Sequence, residues 1–523
     1  MSSILTNNSA MVALQTLKTI NSNLSKTQDE ISTGKSVATA KDNAAIWAIS
    51  KVMEADVKGF KAISESLSLG ESTVAVARNA AETVSDLLTE IKGKIVASQE
   101  DSVPADKIQT DIDALKEQIS SVISAAQFNG KNLVDNFDAT SILSSLDRDS
   151  SGNVTASNIA FNGQNLTSDS GTLSTSTALN RIGTVSDAGV YTVGNGATLS
   201  NAANDATLTL ATDLADADTI TINFGEEQFT YTNNTGSAIA VGDLDDIVAA
   251  GIANLGVEGV TTSVTGAGEV TVSSTNAFES IEIQGSSPST TVNVDPDAGG
   301  AQSAAGNGNA ATLVARAETV SLGGAGNTGG VVNEGDGFQI ALDGKTFNYV
   351  AKDGDTLNDV ATGLKRVVDA GGVEGISVKV NLSDDPTTSP PSIQIDNSGT
   401  APVSLTVDDG SGGTASGGLV GLDGIDVTTK EGAANALDNI ESLINTAVDA
   451  ASAFGSVQSR VEIQSDFIGR LTDSLKSGIG SLVDADMEEA SARLQALQVQ
   501  QQLGTQSLSI ANQAPQNILA LFR

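Results

Sequence analysis

The sequence contains neither cysteine nor histidine. Without cysteine, it forms no disulfide and offers no thiolate as nucleophile or metal ligand. Without histidine, it lacks the commonest general base and metal ligand, which excludes a HExxH zinc site and a Ser-His-Asp triad. A pair of catalytic carboxylates would need neither residue, but no constellation in the sequence points to one. We therefore expect a protein that is not an enzyme and binds no cofactor.

Basic and aromatic residues are also scarce. Lys and Arg number 27 against 64 Asp and Glu, which gives a net charge of -37, and aromatic residues make up 3% of the chain. Such acidity repels nucleic acid and anionic membrane surfaces, so neither is expected as a partner. Few aromatic residues together with 52 Gly predict thin cores and many turns.

Long hydrophobic runs are absent. No stretch reaches the roughly 18 apolar residues of a transmembrane helix, so membrane insertion is not expected. Residues 1–8 have neither the basic nor the apolar segment of a secretory signal. We therefore expect a chain that stays in the cytoplasm or is exported without a cleaved signal.

The sequence does contain a long heptad pattern near its end. An apolar residue recurs at every seventh position, which is typical of a helix with one apolar seam of the coiled-coil type. The seam residues are Ile440, Ala447, Phe454, Val461, Ile468, Leu475 and Leu482. Such a seam predicts a partner helix elsewhere in the chain.

Matching seams occur in the first part of the chain. We predict one helix over 4–33, a longer one over 42–98, and a third that begins at Pro104. The seam residues are Leu17, Leu24 and Ile31 in the first helix, and Phe60, Leu67, Val74, Ala81, Leu88 and Ile95 in the second. Because isolated seams would expose much apolar surface, the two ends should pack into one discontinuous bundle. Two separate helical regions joined by a linker are the alternative.

Residues 140–430 have a different texture. Short alternating segments rich in Gly, Thr, Ser, Asn and Asp predict strands joined by tight turns. Three blocks recur in the same order, and each copy predicts a hairpin, a short helix and two returning strands. The matched blocks are 224–231 with 342–349, 243–248 with 355–360, and 256–260 with 372–376.

The predicted fold class is therefore α+β and multidomain. A discontinuous coiled-coil bundle of N- and C-terminal helices carries an inserted, β-rich outer region. That region contains two similar α+β repeats, at about 213–295 and 330–408.

Acidic stretches are the only candidate metal sites in the sequence. The stretch 147–153 resembles the start of a calcium loop, but Asn158 stands where such a loop needs Glu, so a hairpin turn is favoured. The acidic cluster at 243–246 could bind a cation weakly, but solvated surface is favoured. The glycine run 323–326 lacks the lysine and the setting of a phosphate loop. We therefore predict no metal or nucleotide site.

Both ends of the chain resemble bacterial flagellin. The N-terminal motifs are Ile31-Ser32-Thr33-Gly34, Ala40-Lys41-Asp42-Asn43-Ala44-Ala45 and Gln127-Phe128-Asn129-Gly130. The C-terminal motifs are Asp484-Ala485-Asp486-Met487, Leu503-Gly504, Ala511-Asn512-Gln513 and Pro515-Gln516-Asn517-Ile518-Leu519. The family usually has a second Asp where Asn43 stands, and Gly-Leu where Ile46-Trp47 stand.

The resemblance implies a structural subunit that polymerises into the flagellar filament used for motility. It implies an inner coiled-coil layer made of 1–38 with 484–523, a helical tube made of 39–139 with 431–483, and an exposed region at 140–430. The seam residues named above would hold each subunit together and would also bind it to neighbouring subunits. In the C-terminal tail, Leu503, Leu508, Ile518 and Leu519 would belong to the same seams.

The same resemblance implies partners and a location. The partners are further copies of the chain, the flagellar export apparatus with its chaperones, and the hook-associated and cap proteins. The location is the extracellular filament, reached without a cleaved signal.

Flagellins of many bacteria are sensed by a vertebrate Toll-like receptor through the second long helix, where the family has a Leu-Gln-Arg-Val-Arg-Glu-Leu run. The equivalent run here is 88–94, with Leu88, Glu90 and Ile91. Glu90 stands in the place of an Arg and reverses its charge, so the resemblance implies a poor receptor match.

Two alternatives to a filament subunit with a purely structural role are open. A hook–filament junction protein shares parts of both ends with flagellin, although the closeness of 511–521 to the flagellin terminus favours the filament subunit. The other alternative is a filament subunit whose outer region acts as an adhesin, for which the sequence gives no specific signal.

Overall fold

The computed structural model describes residues 7–100, 102–148, 153–174, 177–185, 191–193, 196–296, 308–323, 331–385 and 389–521. Helices occupy both ends of the chain, and the strands lie between them. The terminal helices are α1 (Asn8–Thr33), α2 (Ala44–Ser98), α3 (Ala105–Ala125), α6 (Lys430–Val483) and α7 (Met487–Leu521). The predicted helical ends and β-rich middle are confirmed.

Capping residues account for the ends of the N-terminal helices. The Asn7 side chain accepts a hydrogen bond from the Ala10 amide at 3.0 Å at the start of α1. Gly34 ends α1 in the left-handed region, with φ of 67°. Asn43 caps α2 by accepting from the Ala45 and Ile46 amides, each at 3.2 Å.

The residue before this cap fixes the preceding turn instead. The Asp42 carboxylate accepts from the Thr39 amide at 2.9 Å and from the Thr39 hydroxyl at 3.0 Å. These hydrogen bonds lower the pKa of Asp42, because they favour its charged form. Asn43, and not Asp42, is therefore the residue that caps α2.

The chain divides into two compact units, 1–75 with 139–161 and 455–523, and 76–138 with 162–454. In the first unit, a Cβ placed on Gly478 would lie 3.2 Å from Met53 Cε, so α6 passes beside α2. The strands β3 (Ala139–Arg148) and β4 (Val154–Asn162) form a hairpin on these helices, where Gln464 Nε2 donates to the Ser144 carbonyl at 2.9 Å.

In the second unit, α2, α3 and α6 bury their apolar faces. Lys92 of α2 forms an ion pair with Glu441 of α6. The Gln109 amide of α3 donates to the Ile425 carbonyl at 3.0 Å and accepts from the Val427 amide at 2.8 Å, which ties α3 to the segment that leads into α6.

Two hairpins and two modules make up the β-rich part. One hairpin pairs the short strands β1 (Gln127–Phe128) and β2 (Lys131–Asn132), and the other pairs the longer strands β3 (Ala139–Arg148) and β4 (Val154–Asn162). In the β1–β2 turn, Asn129 and Gly130 both have positive φ, as a two-residue hairpin loop requires.

The first module holds two four-stranded sheets and helix α4 (Val241–Asn254). Its strand orders are β10-β9-β13-β15 and β11-β12-β8-β14, and all its pairs are antiparallel. The strands are β8 (Asn204–Leu210), β9 (Thr219–Phe224), β10 (Glu227–Thr232), β11 (Val260–Gly266), β12 (Glu269–Ser274), β13 (Ile281–Ser286), β14 (Val292–Asp295) and β15 (Ala310–Leu313). Phe224, Leu244 and Val272 lie in its buried core.

The second module repeats this arrangement around α5 (Leu357–Ala370). Its strand orders are β18-β17-β21-β7 and β19-β20-β16-β5-β6, all antiparallel. The strands are β5 (Ile182–Val185), β6 (Tyr191–Val193), β7 (Ala197–Leu199), β16 (Glu318–Leu322), β17 (Gly337–Leu342), β18 (Lys345–Val350), β19 (Ile376–Asn381), β20 (Ser392–Asn397) and β21 (Val403–Gly410). The two similar α+β repeats are confirmed.

The structure adds a relation between the modules that the repeat pattern did not contain. Strands β5 to β7 precede the first module in the chain, yet they pair with β16 and β21 of the second. The first module is therefore inserted within the second. The predicted ranges 213–295 and 330–408 left out β8, β15, β16 and β5 to β7, because these strands are short and their pairing is not local in sequence.

The acidic cluster at 243–246 is not wholly solvated, which corrects the sequence-based interpretation. Asp245 is buried, and its Oδ2 accepts from the Gly268 amide at 2.7 Å in the β11–β12 turn. In the second module, Asn358 takes the same role and exchanges two hydrogen bonds with Ser383 after β19. Each helix is thus anchored through its first turn to the end of a hairpin strand.

A buried ion pair joins the two modules. Arg316, between β15 and β16, donates from Nε and Nη2 to the two carboxylate oxygens of Asp396 on β20, at 2.8 and 2.7 Å. The side chains are 8% and 2% exposed. This pairing raises the pKa of Arg316, so the guanidinium stays charged.

Replacing the carboxylate would leave that charge buried without its partner. We expect Asp396→Ala to lower the free energy of unfolding by about 3–5 kcal/mol, measured by urea unfolding of the soluble monomer followed by circular dichroism. The control is Asp111→Ala, which removes an exposed ion pair with Lys94 and should leave the midpoint nearly unchanged. Equal shifts in the two variants would contradict the role given to Asp396.

Candidate functional site

Helices α1 and α7 form an antiparallel pair in the first unit. Asn7 Nδ2 donates to the Ala511 carbonyl at 2.8 Å, and Gln501 Nε2 donates to Asn21 Oδ1 at 2.7 Å. A Cβ placed on Gly504 would lie 3.1 Å from Leu17 Cδ1, so glycine allows the two helices to approach closely at this point. The first and last helices of the chain therefore contact each other along their length.

Main-chain hydrogen bonds join the C-terminal end of α1 to the segment just before α7. The Ser36 amide donates to the Val483 carbonyl at 2.7 Å, and the Ala485 amide donates to the Gly34 carbonyl at 3.0 Å. Lys35 and Asp484 form an isolated antiparallel bridge. The end of α1 and the break between α6 and α7 are thus held together by the main chain.

The pair buries little of its own apolar surface. Large apolar side chains stay exposed on both helices, by 62% at Met11, 56% at Leu503 and 69% at Ile510. We call the whole set the terminal apolar face: Met11, Val12 and Leu14 on α1, and Val499, Leu503 and Ile510 on α7. Large apolar side chains exposed in this number on one helix pair are typical of a surface that another chain covers.

The predicted seam residues of α1 and α7 lie at different depths. Leu17, Leu24, Ile31 and Leu508 are half-buried, and Leu503 is exposed. The side chains of Ile518 and Leu519 lie outside the described residues. Leu503 therefore belongs to the terminal apolar face rather than to the contact between α1 and α7.

The seam residues of α2 and α6 are mostly buried. Phe60 and Leu475 are half-buried, and Leu482 is exposed. The remaining ones are fully buried: Leu67, Val74, Leu88, Ile95, Phe454, Val461 and Ile468.

At the C-terminal end of α6, the buried positions no longer follow the period of seven that the sequence predicted. Val483, next to the exposed Leu482, is buried instead. An α-helix drifts by about 20° per heptad against a strict period of seven, which accumulates to about 120° over this seam. One residue advances by about 100°, so Val483 returns to the face that Leu482 has left.

The predicted receptor run lies on α2 with its two apolar members inside. Leu88 and Ile91 are completely buried, and Glu90 is exposed. The acidic residue is therefore the one of the three that this run presents to solvent.

The stretch 147–153, for which the sequence favours a hairpin turn over a calcium loop, runs from the end of β3 to the residue before β4, and these two strands pair. Asp147 Oδ2 accepts from the Ser157 hydroxyl at 3.0 Å across the β3–β4 pair, while 149–152 lie outside the described residues. Among the residues that the structure describes, no group of three or more acidic side chains could hold a metal ion. The glycine run 323–326 lies outside them as well, except for Gly323.

Sequence reasoning missed a second exposed apolar group, on α6. Ile463 is 68% exposed and Phe467 is 55% exposed, one helical turn apart. They lie next to the heptad row and are not members of it, so the period of seven does not include them. An aromatic residue in a chain with 3% aromatics was the available signal.

No described helix is long and apolar enough to cross a membrane. The fold and the terminal pair instead define a class: a structural subunit whose N- and C-terminal helices form one bundle around an inserted β-rich region.

Comparison with known proteins identifies the family. Residues 4–139 match the bacterial flagellin N-terminal helical region, and residues 437–522 match the bacterial flagellin C-terminal helical region. Flagellin D of Rhizobium meliloti (strain 1021) is 31% identical over 533 aligned residues, and flagellin B of Rhizobium meliloti is 31% identical over 530; each alignment covers 100% of both chains. The chain belongs to the bacterial flagellin family, and it is a structural subunit of the flagellar filament.

A solved structure also aligns, but only loosely. The crystal structure of Xanthomonas campestris FlgL is 11% identical, covers 82% of this chain and 98% of its own, and has a TM-score of 0.29. A TM-score this low carries no argument for the junction-protein alternative.

Charges placed on the terminal apolar face should block its contacts without unfolding the subunit. We expect Leu503→Glu with Ile510→Glu to leave the monomer's circular dichroism unchanged. The critical concentration for filament assembly, measured by sedimentation, should rise roughly tenfold or more, because burying one such side chain is worth about 1.5–3 kcal/mol.

The control is Gln502→Glu with Ser509→Glu, at the two exposed positions just before them. This variant adds the same charge at the same spacing on another side of α7, so its critical concentration should change far less. If both variants assemble equally well, the terminal apolar face is not an assembly contact.

Proposed function

We propose that the terminal helices build the core of the filament in two layers. Residues 1–38 with 484–523 form the inner coiled-coil layer, and residues 39–139 with 431–483 form the tube around it. Residues 140–430, with both modules, form the outer surface. The terminal apolar face is the observation that carries this proposal, because it is exposed in one subunit and needs a covering chain.

The seam residues divide their roles between one subunit and its neighbours. The buried members on α2 and α6, from Leu67 to Ile468, hold the subunit together. The exposed and half-buried members on α1 and α7 contact other subunits, joined by Ile518 and Leu519. Contacts of this head-to-tail kind do not close on themselves, so they extend into an open helical filament.

The same helices suit a subunit that is exported before it assembles. A pair with so little buried surface is weakly ordered alone and gains its order on assembly. We propose that the chain leaves the cell through the flagellar export apparatus with a chaperone, without a cleaved signal, and meets the hook-associated and cap proteins at the growing filament. The role is structural and not enzymatic, and needs no cofactor.

Removing the tail tests the layered architecture. Deletion of 484–523 should leave a folded, soluble monomer that does not polymerise, because it removes α7 and with it half of the terminal apolar face. Electron microscopy and sedimentation of the truncated chain, alone and after addition of filament seeds, measure this. Filaments of normal form from the truncated chain would rule out the proposal.

We also propose that the subunit activates the Toll-like receptor weakly or not at all. The exposed Glu90 places a negative charge where the family run has a positive one, and the apolar side chains on either side of it are buried. Purified monomer should give a reporter-cell response far below that of a flagellin with the family run. Glu90→Arg should raise the response if this charge is the obstacle, and potent activation by the unaltered monomer would contradict the proposal.

A further inference from the structure

Three side chains close a triangle between α5 and α6. Lys365 Nζ donates to Asp369 Oδ2 at 2.7 Å and to Asn439 Oδ1 at 3.3 Å. Asn439 Nδ2 donates to the same Asp369 oxygen at 2.8 Å. All three residues belong to the second compact unit, so an amine, a carboxamide and a carboxylate meet within one packed body.

The triangle is shielded from water. The side chains of Lys365 and Asp369 are 14% and 2% exposed, and Asn439 is buried. The second oxygen of Asp369, Oδ1, is buried without a hydrogen-bond partner. Burial raises the pKa of Asp369, against the opposing effects of Lys365 and Asn439. A carboxyl group in this setting can hold a proton that it would lose in water.

These are the groups that amide-bond formation between two side chains requires. The lysine amine is a nucleophile once it has given a proton to a neighbouring base, and Asp369 lies 2.7 Å from it. The asparagine carboxamide is the electrophile, with ammonia as its leaving group. Asp369 contacts both the attacking nitrogen and the leaving nitrogen, which is where a general acid–base group must stand.

We propose that Lys365 and Asn439 become joined by an isopeptide bond, with Asp369 as the catalytic residue. The Lys365 ammonium first gives a proton to Asp369, which leaves a neutral amine and a neutral carboxylic acid. Nζ then attacks Cγ of Asn439. Asp369 passes its proton to Nδ2 and takes one proton from Nζ. The Cγ–Nδ2 bond breaks as the Nζ–Cγ amide forms, one ammonia leaves, and Asp369 ends as the neutral acid. Nothing is oxidised or reduced, and no co-reactant is needed.

A cavity beside the triangle offers the ammonia a way out. Its volume is about 720 Å³, and Asp369 and Asn439 both line it, together with Lys116 and Gln109 of α3. The leaving nitrogen of Asn439 therefore belongs to a residue on a cavity wall and not to one sealed in a packed core.

The bond would form only in the folded chain. Residues 365 and 439 are 74 positions apart, and the helices bring them together. An unfolded chain in transit would remain unlinked, and the link would appear after folding outside the cell. It would tie the helix of the second module covalently to α6 of the bundle.

An ordinary ion pair is the competing description of the same geometry. Lys365 also lies 3.9 Å from the exposed carboxylate of Asp438, which would add a second partner to such an ion pair. An ion pair leaves the covalent structure unchanged, so mass spectrometry separates the two descriptions.

The deciding measurement uses full-length protein from sheared filaments. We expect an intact mass lower than that of the sequence by one ammonia, and a tryptic digest with a branched peptide that joins 353–366 to 431–460. The branch is required because an asparagine that cyclises on its own backbone also loses ammonia. Full recovery of 353–365 and 431–460 as separate, unmodified peptides would overturn the proposal.

Variants then test the assigned roles. Lys365→Arg, Asn439→Ala and Asp369→Ala should each restore the full mass expected for the variant sequence and abolish the branched peptide. Asn435→Ala, one turn earlier on α6, and Lys107→Arg, at an exposed position of α3, should keep the branch. A branched peptide that persists in Asp369→Ala would show that Asp369 is not the catalytic residue. Since the unaltered protein decides whether the bond exists, an unstable variant leaves the main result intact.

Discussion

The structure depends on one constraint: the end of the chain returns antiparallel along its beginning. Met53 lies beside Gly478 in one unit, and Lys92 pairs with Glu441 in the other. In the terminal pair, Asn7 of α1 meets Ala511 of α7 and Asn21 meets Gln501, so moving forward along α1 means moving backward along α7. The heptad seams make this return favourable, because each seam packs against the other and both apolar rows are removed from water. The residues between the two seams must therefore extend away from the helices and return to them.

The inserted parts of the chain follow the same rule. Hydrogen bonds join the segment that leads into each inserted part to the segment that leads out of it. At the base of the outer region, the Gly418 amide donates to the Asn165 carbonyl and the Leu419 amide to the Thr167 carbonyl, at 2.9 and 3.0 Å. At the base of the first module, Asn204 Nδ2 bridges the carbonyls of Val314 and Ala315, both at 3.1 Å. The chain is thus a bundle that carries a module, and that module carries another.

The sequence predicted the features whose signals are local or periodic. The helices, their seams and the repeat all follow from residues close together or regularly spaced. What it could not predict depends on pairing over long separations. The nested insertion needs β7 and β21 to meet, and the triangle at Asp369 needs two helices to pack. The exchange of Leu482 for Val483 reflects helix geometry, which a strict period of seven ignores.

Two groups of buried charged residues lie where one body joins another. Arg316 and Asp396 lie where the first module meets the second, and Lys365 and Asp369 lie where the second module meets α6. Apolar contacts alone would hold these joints in several registers of similar energy, since apolar attraction is not directional. The bidentate Arg316–Asp396 pair satisfies its hydrogen bonds in one arrangement only, and a shifted arrangement would leave a charge buried without a partner. The triangle of Lys365, Asp369 and Asn439 likewise joins its two helices through specific atoms. We interpret these groups as the means by which a chain with few aromatic residues and thin cores fixes the orientation of each module.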